Sequence, residues 1–166
     1  MAEALQITER RSLQLATVMA RKGVEAAAVG GRLGLTAPVG PNTARADGLT
    51  LIGTGPGVWL AVAENVSADW AERLGQTLQG VASVSEQSGG YVVLRMTGAG
   101  AADLLQKGAF IDLHPQAFPV GSAAVTVIAH IGVILWKVDE APSFDVAVFR
   151  SLAGSFHDWI AAAAPA

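Results

Sequence analysis

Cysteine is absent from the 166 residues, which excludes disulfides, thiol nucleophiles and thiolate metal sites. Charge is scarce as well: Asp, Glu, Lys and Arg make up 15% of the chain and the formal net charge is -3. Basic residues occur only as isolated pairs such as Arg10-Arg11 and Arg21-Lys22, so the clustered cations that hold nucleic acid are missing and no nucleic-acid partner is expected. No apolar run reaches the roughly 20 residues that a membrane-spanning helix needs. The longest, residues 121–138, is too short and has His130 in its middle. The opening residues carry Glu3 and Glu9 and no apolar core, so neither a secretory signal nor a membrane span is expected. The lack of cysteine is compatible with a cytoplasmic protein.

What is present is apolar. Hydrophobic residues make up 51% of the chain, more than an average globular domain carries. The length suits one domain, or two small halves sharing a core. With no membrane span to absorb it, the excess is expected to be buried against other chains.

Residues 121–138, GSAAVTVIAHIGVILWKV, are rich in β-branched side chains and contain Gly132. They predict two consecutive buried strands that bend near residues 130–132, with His130 as a hydrogen-bonded core histidine.

Residues 1–11 read as a polar arm, mobile or docked on a partner. Alternation over residues 13–19 predicts a strand, and the Ala-rich residues 23–33 a helix. Pro, Gly and Asn mark residues 36–48 as a loop. Strands are expected at 49–54 and 58–63, joined through Gly55-Pro56-Gly57. Trp70, Leu74 and Leu78 then lie on one face of a helix that Ser67 would cap. A further strand at 81–86 ends before Gly89-Gly90.

The second half predicts the same order: a strand at 91–97, a helix at 101–107 ended by Gly108, a loop at 110–119, the two strands described above, a turn at 139–142 and a strand at 144–149. The last helix is capped by Ser151 and presents Leu152, Phe156, Trp159 and Ile160 on one face. A shift of 78 residues takes Leu13 to Tyr91 and Leu35 to Leu113; shifts of 84 and 85 take Leu51 to Leu135 and Trp59 to Phe144. The reading is therefore an α+β fold, pseudo-duplicated from two βαββ-type halves with antiparallel sheets. After the arm at 1–11, residues 12–166 form a single domain with halves at about 12–87 and 90–163.

Chemistry-bearing patterns are few. Thr97-Gly98-Ala99-Gly100 sits between a strand and a helix, where a dinucleotide fingerprint would lie, but Asp103 stands where the third glycine should be. Gly53-Thr54-Gly55-Pro56-Gly57 lacks the Lys-Ser or Lys-Thr of a phosphate loop. His114, His130 and His157 have no metal-ligand spacing. Asp139 and Glu140 are neighbours in a turn, Ser67 and Ser151 lie in no nucleophile elbow, and the four tryptophans fit core faces better than an aromatic cage. Catalytic, cofactor-binding and metal-binding residues are all read as none.

Residues 111–160 carry Asp112-Leu113-His114-Pro115, Phe118-Pro119, Gly121, His130-Ile131-Gly132-Val133, Leu135-Trp136, Asp139-Glu140-Ala141-Pro142, Phe144-Asp145, Arg150-Ser151 and Trp159. Together these make the chain resemble the gamma-subunit family of heterotetrameric sarcosine oxidases. The resemblance is strong over residues 81–160 and compositional before that. It implies a fold similar to the folate-binding domain of the glycine-cleavage T-protein. It also implies an assembly with alpha, beta and delta chains that oxidatively demethylates sarcosine to glycine, passing the one-carbon unit to tetrahydrofolate and electrons through flavin to oxygen. In such complexes FAD, FMN, NAD and tetrahydrofolate belong to the alpha and beta chains and zinc to delta, so the gamma chain looks like a non-catalytic assembly partner. On this reading Asp112, His114, Pro115, Phe118, Asp139, Glu140, Phe144 and Arg150 are the expected interface residues. The alternatives are a subunit of a related N-methylglutamate dehydrogenase, or a stand-alone folate-binding or one-carbon protein on the same fold.

Overall fold

The computed structural model describes residues 5–165. They form two compact units, one of Ser12–Ser88 and the other of Gly89–Ala166 together with Met1–Arg11. Ten strands and four helices occur among the described residues, β1 (Gln6–Glu9), β2 (Leu13–Ala20), α1 (Ala26–Leu33), β3 (Thr43–Ala46), β4 (Leu49–Gly55), β5 (Val58–Glu64), α2 (Trp70–Thr77) and β6 (Ala82–Glu86) coming first. Then follow β7 (Tyr91–Thr97), α3 (Ala99–Gln106), β8 (Ala123–Ile128), β9 (Ile131–Asp139), β10 (Ser143–Phe149), a short 3-10 turn and α4 (Ala153–Ala163).

In the unit of Ser12–Ser88 the strands are ordered β3-β4-β5-β2-β6, every neighbouring pair antiparallel. One face of this sheet supplies Ala16, Val18, Leu51, Trp59 and Ala61 to a core shared with Val29 of α1 and Leu74 of α2, and with Leu78. The Trp70-Leu74-Leu78 spacing therefore buries the face that the sequence predicts. Ser67 does not cap α2: its carbonyl accepts from the Trp70 amide, its hydroxyl bonds Asp69, and Asp69 is the capping residue.

The other unit has the order β1-β7-β10-β9-β8, again antiparallel throughout. Leu94, Met96, Leu135, Phe144, Val146 and Val148 of its sheet pack with Leu104 and Leu105 of α3 and with Phe156 and Ile160 of α4. Burying a side chain such as Phe156 is worth about 1.5–3 kcal/mol. Ser151 lies in the 3-10 turn Arg150–Leu152 and does not cap α4, whose entrance has no side-chain cap.

The duplication is visible in the pairing register. Leu13 faces Glu64 in the first sheet, and the residues 78 and 85 positions later, Tyr91 and Phe149, face each other in the second. In the same way Val18 opposite Trp59 becomes Met96 opposite Phe144, and Leu51 opposite Ala61 becomes Leu135 opposite Val146.

The structure departs from the sequence reading at four further places. The expected polar arm contains a strand: Ile7 pairs with Met96 as Val84 pairs with Val18 in the other unit, so β1 holds the sheet position that β6 holds there. Residues 1–4 of that arm lie outside the described residues. Within the expected loop at 36–48, Thr43–Ala46 forms β3 against β4. Residues 121–138 do form two strands, but β8 is a sheet edge with Val125 and Val127 exposed, so the stretch is not buried on both faces. His130 is no core histidine: with Ala129 it makes the exposed two-residue turn between Ile128 and Ile131, and both turn residues have positive φ (51° and 67°). This is the type I′ pattern that matches the twist of a hairpin, and the equivalent turn between Ala46 and Leu49 uses Asp47-Gly48.

Candidate functional site

Single charged residues inside apolar strands mark the polar interior of the second sheet. Asp145 interrupts FDVAVF on β10, and Arg95 interrupts VVLRM on β7. The two stand opposite each other in the register. The Arg95 guanidinium donates from Nε to Oδ1 at 2.8 Å and from Nη2 to Oδ2 at 2.9 Å. Arg10, which follows β1, donates to Oδ2 at 2.7 Å. Asp145 has no exposed surface. Two pairs along the same two strands, Thr97 and Ser143 bring their hydroxyls to 3.2 Å. Such forked, charge-assisted bonds are the strong kind, and removing one partner of a buried pair costs far more than forming the pair gains.

Both oxygens of the buried carboxylate are thus committed to arginine. With no exposed surface, Asp145 does not meet a substrate as a general base or a nucleophile must. The cluster joins β1 to the sheet from a distance of 135 residues, a structural role. Lys137 is also buried, its amine 5.9 Å from the ring centre of Phe144, a cation–π contact at the edge of the core. The sequence analysis gave Arg10, Arg95 and Asp145 no functional role; for Arg95 and Asp145 the lone charge in an apolar strand was the available signal.

The residues expected at an interface separate into two groups. Asp112, His114, Pro115, Asp139 and Glu140 are exposed. Asp112 accepts from the His114 amide at 2.9 Å, His114 Nδ1 accepts from the Gln116 amide at 3.1 Å, and Asp139 accepts from the Ala141 amide at 2.9 Å, so these side chains shape their own loops while keeping a free side toward solvent. Phe118 and Phe144 are a correction. They stack with ring centres 6.3 Å apart inside the core and are unavailable to a partner, because burying two rings in the chain's own interior outweighs exposing them. Arg150 is exposed, but its guanidinium donates to the carbonyls of Gly89 (2.8 Å) and Tyr91 (3.0 Å), tying the end of β10 to the start of β7.

Asp69 and Tyr91 titrate away from their ordinary range. Asp69 is pushed below 3.8, chiefly by the Ser67 hydroxyl that donates to it and with help from Arg73 at 3.3 Å, against a smaller opposing effect of burial. Burial pushes the Tyr91 phenol above 10.0; its ring stacks on Phe149 with centres 5.1 Å apart. Among the described residues, no three His, Asp or Glu side chains gather as a metal site, and no helix is long and apolar enough to cross a membrane.

The family described as sarcosine oxidase, gamma subunit matches residues 19–166. The sarcosine oxidase subunit gamma of an Arthrobacter species is 35% identical over 69% of this chain, and that of Corynebacterium sp. strain U-96 is 35% identical over 77%. The matched stretches span 56% and 62% of those relatives, so this chain corresponds to rather more than half their length. Among solved structures, a chain of the heterotetrameric sarcosine oxidase from Corynebacterium sp. U-96 superposes with a TM-score of 0.85 at 27% identity, covering 96% of this chain and 83% of its own. The glycine cleavage system aminomethyltransferase T from Bartonella henselae gives 0.70 at 14% identity over 95% of this chain and 45% of its own, a likeness of fold alone.

Proposed function

This chain belongs to the sarcosine oxidase gamma subunit family, and from that premise we propose that it is the non-catalytic gamma subunit of a heterotetrameric sarcosine oxidase. The complex oxidises the N-methyl group of sarcosine and yields glycine, hydrogen peroxide and a one-carbon unit. That unit leaves as formaldehyde, or as 5,10-methylenetetrahydrofolate when tetrahydrofolate accepts it. Alpha, beta and delta chains are its partners. FAD, FMN, NAD and tetrahydrofolate are held by alpha and beta, and zinc by delta. The assembly is assigned to the cytoplasm.

The observation that carries this reading is the match over residues 19–166, taken with the commitment of the buried carboxylate to two arginines. A chain that uses its buried charge to hold its own sheet together is suited to assembly. The relatives named above are sarcosine oxidase subunits, which supports the oxidase over an N-methylglutamate dehydrogenase. The exposed side chains of Asp112, His114, Pro115, Asp139 and Glu140 are proposed contacts with neighbouring subunits.

Purification through a tag on this chain from its native cell tests the proposal. Three further chains, flavin absorbance and sarcosine-dependent peroxide release are expected. Recovery of the chain alone, or of a complex that oxidises N-methylglutamate without releasing peroxide, would overturn it.

A further inference from the structure

Of the four edge strands, three carry a charged residue: Glu9 in β1, Arg45 in β3 and Glu86 in β6. β8, with the sequence AAVTVI, carries none. A charge on an edge strand is the usual device that keeps another strand from pairing with it. Where β8 lacks the device it also exposes apolar side chains. Val125 is 59% exposed and Val127 36%; Phe110 (79%) stands next to Ala109, and Val120 (42%) lies just before the strand begins.

Among the described residues, the free edge is closed at the hairpin tip alone. There Ala109 bridges to Ile128 and the Ala129 amide donates to Gly108 at 3.0 Å. Among the described residues, 123–127 have a strand partner on the β9 side alone. The hairpin is also polarised. Its tip carries His130, while Lys107 beside Gly108 donates from its amine to the Ala163 carbonyl at 2.7 Å, and its open end carries the exposed Asp139 and Glu140.

We propose that the free edge of β8 receives an extended segment of a partner subunit by strand addition. The inference rests on the gamma-subunit reading above and names the part of the chain that makes the contact. The segment runs antiparallel to β8, as all neighbouring strands do here, and is apolar at alternate positions so as to cover Val125 and Val127. It carries a cationic side chain toward Asp139 and Glu140, which fixes the end of the segment that lies at the open end of the hairpin.

The test uses the complex formed by co-expressing this chain with the alpha, beta and delta subunits. Val125→Lys places a charge on the edge at an exposed position, and Val125→Thr keeps size and β-propensity. At least tenfold weaker retention of the partners is expected for Val125→Lys and near-normal retention for Val125→Thr. Independently of any variant, the outward amides within residues 123–127 of the wild-type chain are expected to exchange hydrogen at least tenfold more slowly in the complex than in the free chain. Equal exchange in the two states overturns the strand addition even if the subunits co-purify, and so leaves the gamma-subunit reading standing. Failure of the wild-type chain to hold any partner overturns both. A wild-type chain that dimerises without partners, and that Val125→Lys makes monomeric, would identify a second copy as the occupant and overturn the proposal.

Discussion

Arg95 and Asp145 face each other across β7 and β10, and the two bonds between them close on the same carboxylate that Arg10 reaches from the end of β1. Asp145→Asn would leave two guanidinium groups against a neutral amide in a buried site, and is expected to cost about 3 kcal/mol. Arg95→Met removes one of two arginines and should cost less, about 2 kcal/mol. Urea unfolding followed by tryptophan fluorescence measures both. An order of costs opposite to this would contradict the assignment of Asp145 as the centre of the cluster.

β1 is the strand that completes the second sheet on the side of β7. Deleting residues 1–9 makes β7 an edge and uncovers part of the core to which Ile7 contributes. The thermal midpoint is expected to fall by at least about 4 °C, the shift that about 1 kcal/mol produces in a unit of this size. The β7 amides that face β1 should exchange faster. A midpoint unchanged by the deletion would show that the strand adds nothing.

Gly108 and Gly132 lie on either side of the β8–β9 tip and should respond oppositely to alanine. A Cβ at Gly108 would stand 2.8 Å from the Ala129 amide nitrogen and 2.8 Å from the Trp159 ring, too close without a shift of backbone. The expected cost is about 1–3 kcal/mol. At Gly132 nothing lies within 4 Å, and alanine should be neutral or stabilise by about 0.4–1 kcal/mol through the unfolded chain. Denaturant midpoints of the two variants decide the matter.

The hairpin turn at Ala129-His130 holds two residues at positive φ, where the equivalent turn has Asp47-Gly48. Replacing Ala129 with Asn and His130 with Gly supplies the residues that this turn prefers and should stabilise the isolated chain by about 1–2 kcal/mol. Calorimetry on the double variant provides the check; destabilisation would mean that the His130 side chain contributes to folding.

Asp69 titrates below its ordinary 3.8 because the Ser67 hydroxyl and the Arg73 guanidinium favour its charged form. A carboxyl lowered in the folded state contributes stability above its ordinary value and loses it as pH falls through the folded one. Ser67→Ala should therefore raise the Asp69 midpoint toward 3.8, as read by NMR titration of the side-chain carboxyl. No upward movement would remove the hydroxyl as the main cause.

Much of the fold was legible because alternation and spacing report which side of an element faces the core. The strand at Tyr91–Thr97 matches its expected bounds, the apolar spacing Trp70-Leu74-Leu78 runs along α2 to its C-cap, and the offsets between halves survive as equal pairing registers. The candidate interface was legible in part. Loop composition placed Asp112, His114, Asp139 and Glu140 at the surface, but an aromatic in a loop sequence such as Phe118 gives no sign of whether it turns inward.

The amino-acid sequence by itself determined the two-fold repetition and the antiparallel α+β class, because these follow from the local order of apolar and polar residues. Only the tertiary structure decided that β1 completes the sheet of the distant half, that Asp145 is held by Arg10 and Arg95, and that β8 lies at an edge with His130 at its tip. Strand neighbours are chosen by non-local pairing, and the same alternation reads alike in a strand flanked on both sides and in one left open on one.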